Sequence, residues 1–218
     1  YLDNENGFLM VVEGGKIDWV SHANDISSVV HEVIDLSKAV EEAVKFYNRH
    51  PGETLIVVTS DHETGGLALG TREMGYESNF VLLDHQNVSG ERFNDLLRKW
   101  RKENLPDEEG FEDFLGLLED HFGLGDDDAP IPLSAEELNE IRTLYQDTGK
   151  NTFSEYGSYS RITFKATGLM AKKAGMGWTT SSHTGIALPV YAIGVNDRAF
   201  CGNIDNTDIP RIIWEAIE

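Results

Sequence analysis

Thr54-Leu55-Ile56-Val57-Val58-Thr59-Ser60-Asp61-His62-Glu63-Thr64-Gly65-Gly66 is the stretch on which the reading of this chain turns. Leu55 to Val58 is a short apolar, largely β-branched run that follows the stop signal Pro51-Gly52, which predicts a buried strand. The strand closes on an adjacent Asp61 and His62, and the pair Gly65-Gly66 turns the chain away. Burying a carboxylate and an imidazole without partners is costly. A strand end carrying both is therefore either a functional site or a hydrogen-bonded cap built by Asp61.

Upstream, Gly7 to Val12 (GFLMVV) predicts another buried strand, ending at Glu13 and the flexible pair Gly14-Gly15. A helix is expected from Ile17 or Asp18, and a longer one from Asp25 to Tyr47. In the latter Ile26, Val29, Val30, Val33, Ile34, Leu36, Val40, Val44 and Tyr47 keep helical spacing. Downstream, residues 71–179 read as a mainly helical insertion, with helices expected over Gly90–Glu103, Phe111–His121, Ala135–Tyr145 and Arg161–Ala174. Ser134-Ala135-Glu136-Glu137 has the form of a capping box, and polar residues fill Asp147 to Ser158. A strand pattern returns at Pro189–Gly194, and a helix capped near Thr207 or Asp208 closes the chain. Strand, helix, strand, helical insertion, strand, helix is an α/β order, with residues 1–70 and 180–218 forming the core around the insertion. In open α/β sheets, functional groups gather beyond the carboxyl ends of strands, which is where Glu13 and Asp61-His62 fall.

The chain has 218 residues, 40% hydrophobic and 10% aromatic, enough for one domain with a sizeable core. No run approaches the roughly 18 apolar residues that a membrane span requires. The net charge of −20 argues against nucleic acid as a partner. An anionic substrate would need something locally positive to draw it in, and bound metal ions are the natural source. A lone Cys201 excludes an intrachain disulfide and a cysteine zinc site. Tyr1-Leu2-Asp3-Asn4 lacks the basic start and apolar segment of a signal peptide, and suggests a chain cut from within a larger one.

Two further segments hold metal-type donors. If a helix begins near Asp18, His22 is one turn on, so both side chains share a face and can ligate one ion. Glu13 could reach a neighbouring site. Taken without the rest, this segment fits a surface Asp/His pair beside a solvated Glu equally well. Ser181-Ser182-His183-Thr184-Gly185 precedes a strand, and read alone His183 is an ordinary polar loop residue.

Together the three segments resemble the alkaline phosphatase family. FLMVVEGGKIDWVSHAND is similar to its V-E-G-x-x-I-D-x-x-x-H-x-N block, TLIVVTSDHETGG to its V-T-x-D-H-x-x-G-G block, and SSHTGIALPVYAIG to its H-T-G-x-x-V-P-V-Y-A-x-G block. The resemblance covers about residues 7–70 and 180–218. It implies part of a mixed β-sheet flanked by helices, with Asp18, His22 and His183 on a first Zn2+, Asp61 and His62 on a second, and Glu13 at an Mg2+ site. It further implies a phosphomonoester substrate with inorganic phosphate as product, a periplasmic or secreted location, and a possible homodimer. The V-E-G block around Glu13 favours a phosphomonoesterase over a diesterase or sulfatase of the same superfamily.

Two departures bear on activity. The family's nucleophilic serine, a bridging carboxylate and a phosphate-clamping arginine precede these blocks, and no Asp-Ser-Ala motif occurs here. The chain alone is therefore not expected to form a phosphoserine intermediate. Trp19 stands after Asp18 where some members carry Lys, so a water-mediated cationic contact to phosphate is not expected. His31, His50, His85 and His121 read as structural or surface residues, and Asp126-Asp127-Asp128 lacks calcium-loop spacing. The competing readings are a non-enzymatic zinc-binding module and a phosphodiesterase or phosphomutase of the same superfamily.

Overall fold

In the computed structural model, which describes residues 7–104, 106–147, 152–153 and 159–217, the chain opens on two helices, α1 (Gly15–His22) and α2 (Ile26–Arg49). Three short strands follow, β1 (Leu55–Val58), β2 (Glu63–Thr64) and β3 (Ala68–Leu69). A 3-10 turn at Phe80–His85 leads into α3 (Gly90–Trp100) and α4 (Glu108–Phe122), then β4 (Leu124–Gly125) and β5 (Ile131–Pro132). Next come α5 (Ala135–Gln146), β6 (Thr152–Phe153), β7 (Tyr159–Ser160), α6 (Arg161–Lys173) and β8 (Met176–Gly177). The chain returns through β9 (His183–Thr184) and β10 (Tyr191–Gly194) to α7 (Asp208–Ile217). The class is α/β. The polar stretch Asp147 to Ser158 lies largely outside the described residues, as does the N-terminal Tyr1-Leu2-Asp3-Asn4.

Strand pairing brings distant segments together. β1 runs antiparallel to β10, with Leu55 opposite Gly194 and Val58 opposite Tyr191. Just beyond, β2 runs antiparallel to β9, placing Glu63 against Thr184 and Thr64 against His183. β3 pairs with β8, which brings the chain back beside residue 70 after the helical segment. Each pairing among the described residues is two-stranded.

The stretch Gly7–Val12 differs from expectation. It is not a strand, and Leu9, Val11 and Val12 are exposed. An apolar run becomes a strand only where a neighbour takes up its N–H and C=O groups, and no described strand lies alongside it. Its one aromatic anchor is Phe8, edge-on to Phe46 of α2 at 5.9 Å. Val33 and Ile34 of α2 and Tyr191 of β10 are exposed as well.

The densest packing lies in the helical segment. Phe93, Phe111, Phe114, Phe122, Ile141 and Tyr145 are fully buried where α3, α4, α5 and α6 meet. Phe114 stacks on Tyr145 at 4.9 Å, and Phe93 meets Phe122 edge-on at 4.8 Å. Each such side chain contributes about 1.5–3 kcal/mol by leaving water. The expected capping box is present. Ser134 Oγ accepts from the Glu137 N–H at 3.2 Å, and the Ser134 N–H donates to Glu137 Oε2 at 3.0 Å. Helix α4 begins earlier than its apolar pattern, because Asp107 caps it by accepting from the Gly110 N–H.

Candidate metal centre

Helix α1 places Asp18 and His22 one turn apart on one face. Asp18 Oδ1 lies 3.4 Å from His22 Nε2. His22 is buried, and its Nδ1 sits 2.6 Å from the carbonyl oxygen of Ser181. A carbonyl only accepts, so Nδ1 carries the proton and Nε2 is left to face the site. The β2–β9 pairing delivers His183 from the other end of the chain. Its Nε2 is 3.1 Å from His22 Nε2 and 3.7 Å from Asp18 Oδ1.

These three separations test the arrangement against a metal. Zinc binds imidazole nitrogen and carboxylate oxygen at about 2.0–2.2 Å in a tetrahedron, whose edge is then about 3.4 Å by geometry. The observed 3.1, 3.4 and 3.7 Å bracket that edge. A proton on His183 could satisfy one of the facing pairs, whereas a divalent cation would satisfy all three donors. The donor set fits zinc.

His62 joins the group from the turn after β1. Its ring stacks on that of His183, with centroids 3.5 Å apart and planes within 20°. Asp18, His62 and His183 each offer an atom within 4.8 Å of the others. With separations of 3.1, 3.4 and 3.7 Å, Asp18, His22 and His183 are the tighter set. Asp61 extends the cluster outward, with Oδ2 3.3 Å from His62 Nε2 and a side chain 83% exposed. Glu13 is exposed, with its carboxylate over Gly15 of its own turn.

Sequence reading missed the groups that hold these donors in place. Thr64 Oγ1 donates to Asp18 Oδ1 at 2.6 Å and lies 3.3 Å from His62 Nδ1. With its own proton committed to Asp18, the Thr64 oxygen can accept from His62 Nδ1–H, which turns His62 Nε2 toward Asp61. The signal was available, since residues 62 and 64 share one side of an extended chain. Glu63 accepts twice from the Gly66 N–H, at 2.9 and 3.0 Å, and also accepts from the Thr184 hydroxyl, tying the two halves of the β2–β9 pair. Gly65, at φ +93°, has the Trp178 ring only 2.5 Å from where a Cβ would stand. Its N–H donates to the Ser182 carbonyl, and its own carbonyl accepts from Thr179 and Thr180. Asn24, in the left-handed region at φ +53°, donates to the carbonyls of Ser21 and Thr180, both at 3.0 Å.

Other candidates are engaged elsewhere. Trp19 is 48% exposed, with Lys16 Nζ 4.5 Å above its ring, while the same ammonium pairs with Glu91 at 2.9 Å. His50 stacks on Phe46, and His121 bonds Asn87. Asp126 accepts from the Asp128 N–H in a local turn. Among the described residues no helix is long and apolar enough to cross a membrane.

The sequence profile of the alkaline phosphatase family matches residues 2–218, running through residues 71–179 as well as the three motif blocks. Alkaline phosphatase 3 of Bacillus subtilis (strain 168) is 29% identical over 216 residues, covering 99% of this chain and 41% of that protein. The repressible alkaline phosphatase of Saccharomyces cerevisiae is 26% identical over 228 residues, covering 99% and 37%. The crystal structure of a cold-active alkaline phosphatase from a psychrophilic Shewanella sp. superposes with a TM-score of 0.75 at 26% identity, covering 99% of this chain and 46% of that one. The chain thus spans less than half the length of these relatives. It belongs to the alkaline phosphatase family.

Proposed function

We propose that this chain supplies most of the metal ligands of a phosphomonoesterase whose activity belongs to a longer protein. In this reading Asp18, His22 and His183 hold a first Zn2+, Asp61 and His62 a second, and Glu13 an Mg2+ site. The observation that carries it is the Asp18–His22–His183 triangle, whose sides of 3.1, 3.4 and 3.7 Å suit one tetrahedral ion. The Glu13 assignment rests on the motif resemblance alone. When bound, the two zinc ions supply Lewis-acid stabilisation of charge on the attacking and leaving oxygens at phosphorus.

The chain's own residues set the geometry. The Ser181 carbonyl fixes the His22 tautomer so that Nε2 faces inward. Thr64 orients Asp18 and His62 together. The Glu63–Thr184 contact holds His183 in register with Thr64. An ion-centred positive field resolves the conflict between a net charge of −20 and an anionic substrate. The serine nucleophile has no counterpart motif in these residues, so this chain alone does not complete the turnover. The phosphomonoester substrate, the phosphate product, a periplasmic or secreted location and homodimer formation belong to the same proposal.

The test is hydrolysis of p-nitrophenyl phosphate by the full-length protein at alkaline pH, with and without His183→Ala. The variant should lose most of the activity. Undiminished turnover in His183→Ala would remove that residue from the site.

A further inference from the structure

Three residues beyond His22 lies Asp25, a carboxylate with no exposed surface. As the N-cap of α2 it has local work, accepting from the Ser28 N–H at 3.2 Å and the Ser28 hydroxyl at 2.7 Å. Asn, Ser or Asp serve about equally in that role, so capping does not explain a buried charge. The remaining contacts reach far along the chain. Gln86 Nε2 donates to Oδ1 at 2.7 Å, the Gly90 N–H to Oδ2 at 2.8 Å, and the Tyr159 hydroxyl to Oδ2 at 3.2 Å.

These donors are neutral, and no described ion pair includes Asp25. The charge is instead stabilised where the N-terminal ends of α2 and α3 converge, each presenting N–H groups and the positive end of its dipole. The fit around it is close. A Cβ on Gly90 would stand 2.3 Å from the Tyr159 ring. Burial, with the Asp25 charge beside it, pushes the Tyr159 phenol up, which keeps it a donor.

From Tyr159 the structure leads back to the site. Tyr159 opens β7, which runs through Ser160 directly into α6, whose start is pinned to α3 because Asn94 Oδ1 accepts from the Ser160 N–H and the Thr163 hydroxyl. Helix α6 ends at Lys173, and the chain reaches Trp178 against Gly65. It then passes Thr180, held by Asn24, and Ser181, held by His22, and arrives at His183. The contacts form a closed ring: His22, Asp25, Tyr159, α6, the loop 178–182 and back to His22. We propose that Asp25 is a positioning residue, locking the helical segment onto the α1–α2 elbow so that His22 and His183 meet at bonding distance for zinc.

This inference rests on reading His22 and His183 as zinc ligands, and its test separates the two ideas. In the full-length protein, zinc affinity is measured by chelator competition for the wild type, Asp25→Ser, Tyr159→Phe and His183→Ala, beside thermal unfolding of each metal-free form. Asp25→Ser keeps the α2 cap but loses the long-range acceptors. It should bind zinc about tenfold more weakly, in the range found for residues that orient metal ligands. Tyr159→Phe removes one donor and should weaken zinc a few-fold. A lower unfolding temperature with wild-type zinc affinity in Asp25→Ser would mean a purely structural role and overturn the proposal while leaving the metal reading intact. Wild-type affinity in His183→Ala would overturn both. Should Asp25→Ser fail to fold, Tyr159→Phe decides, and unchanged zinc affinity there refutes the coupling.

Discussion

Replacing Thr64 by Val removes one hydroxyl while keeping a β-branched side chain at the register position opposite His183. The hydroxyl donates to Asp18 at 2.6 Å and lies 3.3 Å from His62 Nδ1, so its loss releases one proposed ligand from each zinc. A hydrogen bond to a charged group contributes about 1.5–3 kcal/mol. The Asp18 side chain is 33% exposed, so water recovers part of that, and the lower half of the range is expected. About 1.5–2.2 kcal/mol corresponds to roughly a 10- to 40-fold loss of zinc affinity. Chelator competition on the full-length protein measures it directly, and Thr64→Ser should restore most of the affinity. A Thr64→Val variant within threefold of wild type would refute the argument that this hydroxyl orients the donors.

Other perturbations test the frame around the site. Gly65→Ala forces φ +93° on an L-residue and drives a methyl into the Trp178 ring, so denaturant unfolding should show a loss of at least about 2 kcal/mol. Wild-type stability would contradict the tight turn. For Glu137, burial acts to raise the pKa, but the Ser134 N–H and the Lys173 and Lys172 ammonium groups outweigh it and hold the carboxyl at about 2. A depressed carboxyl contributes stability that is present above its unfolded pKa, near 4.5, and is lost as pH falls toward 2. With Lys172 about half exposed, the contribution is discounted to roughly 1–2 kcal/mol. Glu137→Gln should therefore flatten the loss of stability between about pH 5 and 2, and an unchanged acid limb would count against it. Phe114→Ala should cost about 3–5 kcal/mol by opening a cavity among Phe93, Phe111 and Tyr145.

What could be read from the sequence was what depends on neighbours along the chain. The Ser134–Glu137 box, the long amphipathic α2 and the Asp18–His22 turn are all local, and each is found where its pattern lies. The stretch Gly7–Val12 has a strand's apolarity and yet is not one, because a strand is a property of two segments, and apolarity reveals a demand for burial without naming the partner. The approach of His183 to His22, across a separation of 161 residues, depends on the β2–β9 register and is invisible to spacing. Only the motif resemblance points to it. The holding groups Thr64, Asn24 and Asp25 sat inside the quoted motifs. Their roles emerge only once the loop 178–182 and the helical segment fold against them. Glu13 rests on its motif position alone, with its carboxylate beside Gly15 of its own turn.

The most direct test of the account is an anomalous difference map collected at the zinc edge from crystals of the full-length protein. A peak is expected within about 2.0–2.3 Å of Asp18 Oδ1, His22 Nε2 and His183 Nε2 together. Strong anomalous signal elsewhere, with those three atoms bonded only to one another, would contradict it.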